Sequence, residues 1–307
     1  MRRTRPAAAA LAGALLAAGC SSGAPASAPS PSGRASTVPP RTSTGPTTGT
    51  VGRYVALGDS YSAGPLIPTT DLAGGCARSD HNYPSLVAER LGVGTFVDVT
   101  CSAATTRDLT HVQATFGDAR VPAQLDALTR DTDLVTLGIG GNDLGLFSTL
   151  IDTCTRLRAA DPSGAPCTRR LAARGPDLEA ATRTISARVT AALREIRRRA
   201  PEADVLLVGY LRLVPDARTC PRLPLARGDY AEGRRISETL DRSLRRAARR
   251  ARVTFVDIYA ASREHDICSA APWVNGRVTD RQRALAFHPL AAGMRADADR
   301  VVAALRP

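Results

Sequence analysis

The chain has 307 residues, of which 43% are hydrophobic, so it can form one well-packed domain and is not an intrinsically disordered protein. Its formal net charge is +12, and all 41 residues counted as Lys or Arg are Arg. This charge permits contact with anionic surfaces or lipids. No nucleic-acid-binding motif accompanies the charge, so we expect no nucleic-acid partner.

The first twenty residues have the pattern of an export signal. Residues 1–5 include three Arg, and residues 7–19 form an apolar stretch that is too short to span a bilayer. The stretch ends in LAAGC, which is similar to a bacterial lipobox, with Ala17 where Leu is usual. We therefore expect a signal peptide at 1–19 and a lipidated Cys20 that anchors an extracellular protein to the outer face of the cell membrane. Ordinary signal cleavage with full release is the alternative.

The segment after Cys20 has a different composition from the rest of the chain. Residues 21–50 are almost entirely Ser, Thr, Ala, Gly and Pro, with Val38 as the one bulky apolar residue. Such a segment buries too little apolar surface to offset the entropy of ordering. We expect residues 20–50 to be a disordered linker and residues 51–307 to be the folded domain.

From Arg53 onward, short apolar runs alternate with amphipathic helical patterns. Strands are predicted at 54–57, 95–100, 134–139, 205–209 and 253–258, and most are continuously apolar, as in strands covered on both faces. Helices are predicted at 84–91, through 178–196 and 236–251, and from about Leu290 to Leu305. This alternation is typical of a parallel sheet with helices on both sides.

Seven Cys occur in the chain, and six remain if Cys20 carries lipid. An even number in an exported protein suggests three disulfides, although sequence alone does not choose among the many possible pairings. Each Cys follows a predicted strand, in a loop or at a strand end, so we expect all of them near one edge of the sheet. Pairing in sequence order then closes three loops without crossing. A metal site is disfavoured because no CxxC or Cys/His cluster is present. The six residues are Cys76, Cys101, Cys154, Cys167, Cys220 and Cys268.

Polar segments follow three of the predicted strands: GDSYS at 58–62, CSAAT at 101–105 and GGND at 140–143. Because ligands bind beyond the carboxyl ends of parallel strands, we expect these segments to converge. A serine nucleophile needs an adjacent base and donors for an oxyanion, and Ser60 and Asn142 fit the nucleophile and one donor. Position weakly favours one of four candidate bases, His288, which lies before Pro289 and the last helix. The others are His81, His111 and His265.

Two of these segments, together with the segment around His288, make a family resemblance specific. GDSYS at 58–62, GGND at 140–143 and FHPLAAG at 287–293 resemble blocks I, III and V of the SGNH/GDSL hydrolases. CARS at 76–79, NYP at 82–84 and the six-Cys arrangement are similar to secreted actinobacterial lipases and esterases, whose cysteines are bonded in sequential order. The resemblance covers residues 53–307. It implies a three-layer α/β/α sandwich around a mainly five-stranded parallel sheet, which is the flavodoxin-like fold of that family.

The resemblance also implies roles for individual residues. Ser60 is expected to be the nucleophile, and His288 the general base. The backbone N–H groups of Ser60 and Ala103 and the side-chain amide of Asn142 are expected to form the oxyanion hole.

The sequence departs from the family pattern at two positions. Ala103 stands where Gly is common, so its role requires dihedral angles that suit a Cβ. The position three residues before His288, where many relatives have Asp, is Leu285. We therefore expect a backbone carbonyl to orient the imidazole, with Asp280 as the alternative.

The expected activity is hydrolysis of lipid-type carboxylic esters through an acyl-enzyme, by a monomer without metal or organic cofactor. A polysaccharide O-acetylesterase and a catalytically silent surface-binding module are the alternatives. Trp273 is expected either to line an acyl pocket or to have a packing role. Four polar neighbours of the site are expected to support turns rather than react: Asp59, Ser62, Ser102 and Asp143.

Overall fold

The computed structural model describes residues 51–117, 119–175 and 177–306. The predicted signal peptide, Cys20 and the predicted linker lie outside the described residues. Within the described ranges, no helix is long and apolar enough to cross a bilayer.

Five parallel strands form the central sheet, in the order β4-β1-β7-β8-β9. Two short antiparallel pairs, β2 with β3 and β5 with β6, lie outside it. The five predicted strands are confirmed, with ends that differ by at most two residues. The strands are β1 (Arg53–Gly58), β2 (Thr70–Asp71), β3 (Arg78–Ser79), β4 (Thr95–Asp98), β5 (Gln113–Ala114), β6 (Arg120–Val121), β7 (Leu134–Gly138), β8 (Asp204–Val208) and β9 (Thr254–Val256).

Burial differs between the middle and the edges of the sheet. β7 is buried throughout, and β1 and β8 are buried over four or more consecutive residues. The edge strand β4 has no buried residue, and in β9 only Val256 is buried. Coverage on both faces, which was expected for most of the strands, is thus found in the middle of the sheet and not in β4 and β9, which lie at its two edges.

Two pairs of helices form the outer layers. α2 packs beside α9, and α6 packs beside α7, so the sheet lies between them in the predicted α/β/α sandwich. Between β7 and α6 the chain forms short helical pieces around a π-helix, Thr149–Cys154. The α-helices are α1 (Ser60–Ala63), α2 (Tyr83–Leu91), α3 (Leu146–Ser148), α4 (Thr155–Leu157), α5 (Pro166–Arg174), α6 (Leu178–Arg199), α7 (Tyr230–Ala251), α8 (Ile258–Ala261) and α9 (Ala291–Ala304).

The structure contains three disulfides, which join the cysteines in sequence order. They link Cys76 to Cys101, Cys154 to Cys167, and Cys220 to Cys268, across 25, 13 and 48 residues. Cys154 and Cys167 lie in the π-helix and in α5, so the expectation that every Cys lies in a loop or at a strand end is wrong for this pair. The short helices that hold them span too few turns to show a periodic apolar pattern in the sequence.

Candidate active site

Ser60 and His288 meet beyond the carboxyl end of β1, although they are 228 residues apart in the chain. Ser60 is the first residue of α1, and His288 lies in the loop before α9. The Oγ atom of Ser60 is 2.9 Å from Nε2 of His288. Both residues are 8% exposed, so the pair is largely shielded from bulk water.

A tight turn between β1 and α1 holds Ser60 in place. Asp59 caps the helix, and its carboxylate accepts a hydrogen bond of 2.9 Å from the backbone N–H of Tyr61. Gly58 has a φ of 155°, and a Cβ there would collide with the side chain of Ser62. The side chain of Gln124 accepts from the N–H of Gly58 at 2.7 Å and donates to its carbonyl at 2.9 Å. The turn therefore requires glycine at position 58, and Gln124 holds both the N–H and the carbonyl of that residue.

The loop before α9 fixes the imidazole of His288 through the backbone. Nδ1 lies 2.7 Å from the carbonyl oxygen of Ala286, so Nδ1 carries the proton and Nε2 is the acceptor that faces Ser60. The carbonyl of Ala286 is thus the kind of backbone acceptor that we expected to orient His288. The carboxylate of Asp280 instead accepts from the N–H of Gln282 at 2.9 Å, so it supports a turn and does not orient His288.

Burial shifts the proton affinity of both acidic and basic groups at this site. It lowers the pKa of His288 to about 4, while the hydrogen bond to Ala286 acts in the opposite direction. It raises the pKa of Asp59 to about 7, against the hydrogen bonds from Tyr210 and Tyr61. The imidazole is therefore neutral at pH 7 and able to accept a proton.

Asn142 lies beside the segment that contains Ala103. The side-chain Nδ2 of Asn142 donates a hydrogen bond of 2.9 Å to the carbonyl of Ala104, which leaves its second N–H free to point elsewhere. Ala103 is exposed and has a φ of 66°, in the left-handed region that favours glycine. Ala103 therefore has a backbone conformation that glycine adopts readily, and the Cβ of Ala103 makes this conformation strained.

A buried tyrosine joins the Ser60 turn to the Asn142 loop. The hydroxyl of Tyr210 donates to the carboxylate of Asp59 and accepts from the N–H of Gly141 at 3.0 Å. Asp143 has a similar linking role, because its carboxylate accepts from the N–H of Thr106 at 2.9 Å and from Arg188 at 2.9 Å. Asp59 and Asp143 therefore act as structural supports, in agreement with the sequence-based expectation.

Tyr61 contacts the loop that carries His288, and the motifs did not reveal this contact. Its hydroxyl donates to the carbonyl of Phe287 at 2.7 Å, and its ring centroid is 5.5 Å from that of His288. Tyr61 lies inside the GDSYS segment, which is the one signal that could have identified it. Tyr210 and Phe147, whose rings lie 5.1 and 5.4 Å from that of Tyr61, belong to no motif.

The remaining histidines lie away from Ser60 and have other partners. His81 is exposed and lies 2.6 Å from the carboxylate of Asp80, and His111 is exposed beside Thr110. His265 stacks on Trp273 with centroids 3.9 Å apart and parallel planes, so the structure supports the packing role of Trp273. Within the described ranges, no group of three or more His, Cys, Asp or Glu is placed to hold a metal ion.

Several known proteins are similar to this chain in sequence and fold. The model of the GDSL-like Lipase/Acylhydrolase family matches residues 56–296. Lipase 2 of Streptomyces coelicolor is 41% identical over 229 residues, which are 71% of this chain and 73% of that relative. The crystal structure of phospholipase A1 from Streptomyces albidoflavus NA297 is 29% identical with a TM-score of 0.67, covering 82% of this chain and 99% of that one.

A second solved structure gives the same result. The extracellular lipase from Streptomyces rimosus is 28% identical, with a TM-score of 0.67, and the match covers 82% of this chain and 99% of that chain. The family match spans most of the domain and includes the segments that hold Ser60, Asn142 and His288. The chain therefore belongs to the GDSL-like lipase/acylhydrolase family of carboxylic-ester hydrolases.

Proposed function

We propose that this protein is an exported esterase that cleaves lipid-type acyl esters through an acyl-enzyme on Ser60, with His288 as general base. The observation that carries the proposal is the 2.9 Å contact between Oγ of Ser60 and the acceptor nitrogen of a buried, neutral imidazole. A serine with a base at this distance is the arrangement that nucleophilic catalysis requires.

In the acylation step, Oγ of Ser60 bonds to the ester carbonyl carbon while its proton passes to Nε2 of His288. The carbonyl electron pair moves onto its oxygen, and the N–H groups of Ser60 and Ala103 and the side-chain amide of Asn142 donate to this oxyanion. The N–H of Ser60 is available because the first turn of a helix has no acceptor for it within the helix. The intermediate collapses, the bond to the leaving alkoxide breaks, and the alkoxide takes the proton from His288.

In the deacylation step, a water molecule loses a proton to Nε2 of His288 and attacks the acyl carbon. The second tetrahedral intermediate collapses with cleavage of the bond to Oγ of Ser60, and His288 returns the proton to Oγ. The products are a carboxylic acid and the free enzyme. The carbonyl of Ala286 holds the proton of His288 on Nδ1 before and after the cycle. It thus takes the place of the carboxylate in a catalytic triad.

The surroundings of His288 favour an acyl chain over a polysaccharide O-acetyl group as the preferred substrate. The aromatic rings of Tyr61 and Phe147 lie 5.5 and 6.3 Å from the imidazole, which makes this side of the site apolar. The relatives named lipase and phospholipase A1 support the same choice. The lipobox-like segment and the three disulfides support export and anchoring through Cys20.

The activity is tested with p-nitrophenyl esters of increasing acyl length and with labelling by a fluorophosphonate. We expect hydrolysis of long-chain esters and a label on Ser60, both abolished in Ser60→Ala and lowered by several orders of magnitude in His288→Ala. Ser62→Ala and His265→Ala are matched controls that should keep activity. Turnover of acetate alone indicates a deacetylase, and absence of both turnover and labelling indicates a silent binding module.

The membrane anchor needs a separate test in producing cells. Metabolic labelling with an alkyne fatty acid should mark the wild-type protein in the membrane fraction, whereas Cys20→Ser should be unlabelled. Unlabelled wild-type protein in the culture medium would contradict the anchor and leave the esterase activity unaffected.

A further inference from the structure

A small apolar cavity lies beside the candidate catalytic pair. It is enclosed by α3 and the π-helix after it, the segment after β8, α7 and α8, and its volume is about 20 Å³. A space of this size holds about one water molecule. The residues that matter to the argument are Leu146, Phe147, Tyr210, Ile236, Ser237 and Leu240.

The rings of Phe147 and Tyr210 form the wall between this cavity and the site. Both residues line the cavity, and both rings contact Tyr61, at 5.4 and 5.1 Å between centroids. The ring of Phe147 is also 6.3 Å from the imidazole of His288. An acyl group bonded to Oγ of Ser60 is therefore separated from the cavity by one layer of aromatic rings.

The two rings differ in how firmly they are held. Tyr210 is buried, and its hydroxyl is hydrogen-bonded to Asp59 and to the N–H of Gly141. Phe147 has no polar atom, is half-buried, and follows Leu144 and Gly145, which have φ angles of 58° and 65°. The helix that begins at Leu146 continues as a π-helix, an irregular form that is common at functional sites. Phe147 is thus the less firmly held of the two wall residues.

We propose that the cavity is the binding site for the acyl chain of the substrate and that Phe147 limits the length of the chain. The inference rests on the proposed esterase activity. A short acyl group fits in front of Phe147, whereas a longer chain displaces the ring and extends between Leu146, Ile236 and Leu240. Each methylene that becomes buried favours the longer ester by about four-fold in kcat/KM.

The test compares kcat/KM for p-nitrophenyl octanoate and p-nitrophenyl acetate. In Phe147→Ala the ratio of octanoate to acetate should rise by about ten-fold over wild type, which is the gain expected from burying between one and two further methylenes. The double variant Phe147→Ala with Ser237→Leu places a new apolar side chain in the cavity and should bring the ratio back to the wild-type value. Phe116→Ala, at a ring that is 64% exposed, is the matched control and should leave the ratio unchanged.

The results that would overturn the inference are distinct from failure of the proposed function. If Phe147→Ala hydrolyses both esters with an unchanged ratio, or if the double variant keeps the raised ratio, the acyl chain does not use this cavity. Ester hydrolysis on Ser60 would still stand in either case. Absence of hydrolysis of both esters by the wild-type protein would overturn both proposals together.

Discussion

The hydroxyl of Tyr61 donates a hydrogen bond of 2.7 Å to the carbonyl oxygen of Phe287. This bond joins the residue that follows Ser60 to the residue that precedes His288. Phe287 has a φ of 61°, which is unfavourable for a side chain with a Cβ, so its conformation depends on such contacts. The distance between the two catalytic candidates is therefore set partly by a bond between their immediate neighbours.

We predict that Tyr61→Phe lowers kcat about ten-fold with little change in KM, because the His288 loop loses a fixed contact and small misplacements of catalytic groups are costly. The free energy of unfolding should fall by about 1 kcal/mol. Steady-state kinetics and urea denaturation measure the two effects. Tyr54→Phe is the matched control, since it removes a buried hydroxyl 2.7 Å from Thr136 and should affect stability alone. Equal kinetic losses in both variants would show that the Tyr61 bond has no special role.

The dependence of activity on pH should reflect the lowered pKa of His288. The neutral imidazole accepts the proton, so activity is present above its pKa and lost as pH falls through that value. With the pKa at about 4, titration of His288 should leave kcat/KM nearly unchanged down to pH 5 and lower it to half near pH 4. A pH series with p-nitrophenyl acetate, checked by circular dichroism for folding, measures this. A midpoint near the ordinary value of 6.5 would contradict the prediction.

The free energy of unfolding should depend on pH through the raised pKa of Asp59. Its pKa in the folded protein, about 7, exceeds that of the unfolded chain, so the protonated form is favoured by folding. This stabilisation is present at low pH and is lost as pH rises towards 7. Relative to Asp59→Asn, which does not titrate, wild type should lose free energy of unfolding between pH 4 and pH 8, by up to roughly 4 kcal/mol. Denaturation curves of the two proteins that run parallel over this range would contradict the assignment.

Replacement of Ala103 by glycine should stabilise the protein. The left-handed conformation costs a residue with a Cβ about 1–2 kcal/mol, and part of this gain is offset by the greater freedom of glycine in the unfolded chain. A net increase of about 0.5–1 kcal/mol is expected, with kcat within two-fold of wild type because the N–H is retained. Ala159→Gly, at an exposed helical position with ordinary dihedral angles, should instead destabilise. A lower free energy of unfolding in Ala103→Gly would show that the conformation of Ala103 is not strained.

Asn142 should act on the transition state alone. Loss of one oxyanion donor typically lowers kcat by about 100–1,000-fold, so Asn142→Ala should show this drop with KM nearly unchanged. Asn142→Asp keeps the size of the side chain but presents an oxygen to the oxyanion, and its kcat should be at least as low. Activity of Asn142→Ala within ten-fold of wild type would exclude the amide from this role.

The parts of the fold that sequence predicted are those with a local signal. Continuous apolar runs identified β1, β7 and β8 because a strand in the middle of a sheet is covered on both faces. β4 contains Thr95 and Asp98 beside two apolar residues, and its exposure follows from its place at the edge of the sheet, which no local pattern encodes. The helical surroundings of Cys154 were missed because a π-helix of six residues has no periodic signal.

At the candidate site, the sequence identified reactive groups better than the contacts that hold them. Ser60 and His288 stand in recognisable segments, and the replacement of a usual Gly by Ala103 could be noted before its φ was known. The bonds from Tyr210 to Asp59 and from Tyr61 to Phe287 span 151 and 226 residues, so no spacing along the chain predicts them. They follow only from the packing of the sheet and its loops.

The disulfide between Cys76 and Cys101 has a consequence for the maturation of the protein. Cys101 stands two positions before Ala103, its N–H donates to the carbonyl of Gly58 at 3.0 Å, and the N–H of Ser102 donates to the carbonyl of Cys76 at the same distance. The covalent link thus holds the strained segment against the turn that precedes Ser60. A newly synthesised chain with free thiols lacks this restraint, so oxidation of these two cysteines is also a step in assembling the proposed oxyanion donors.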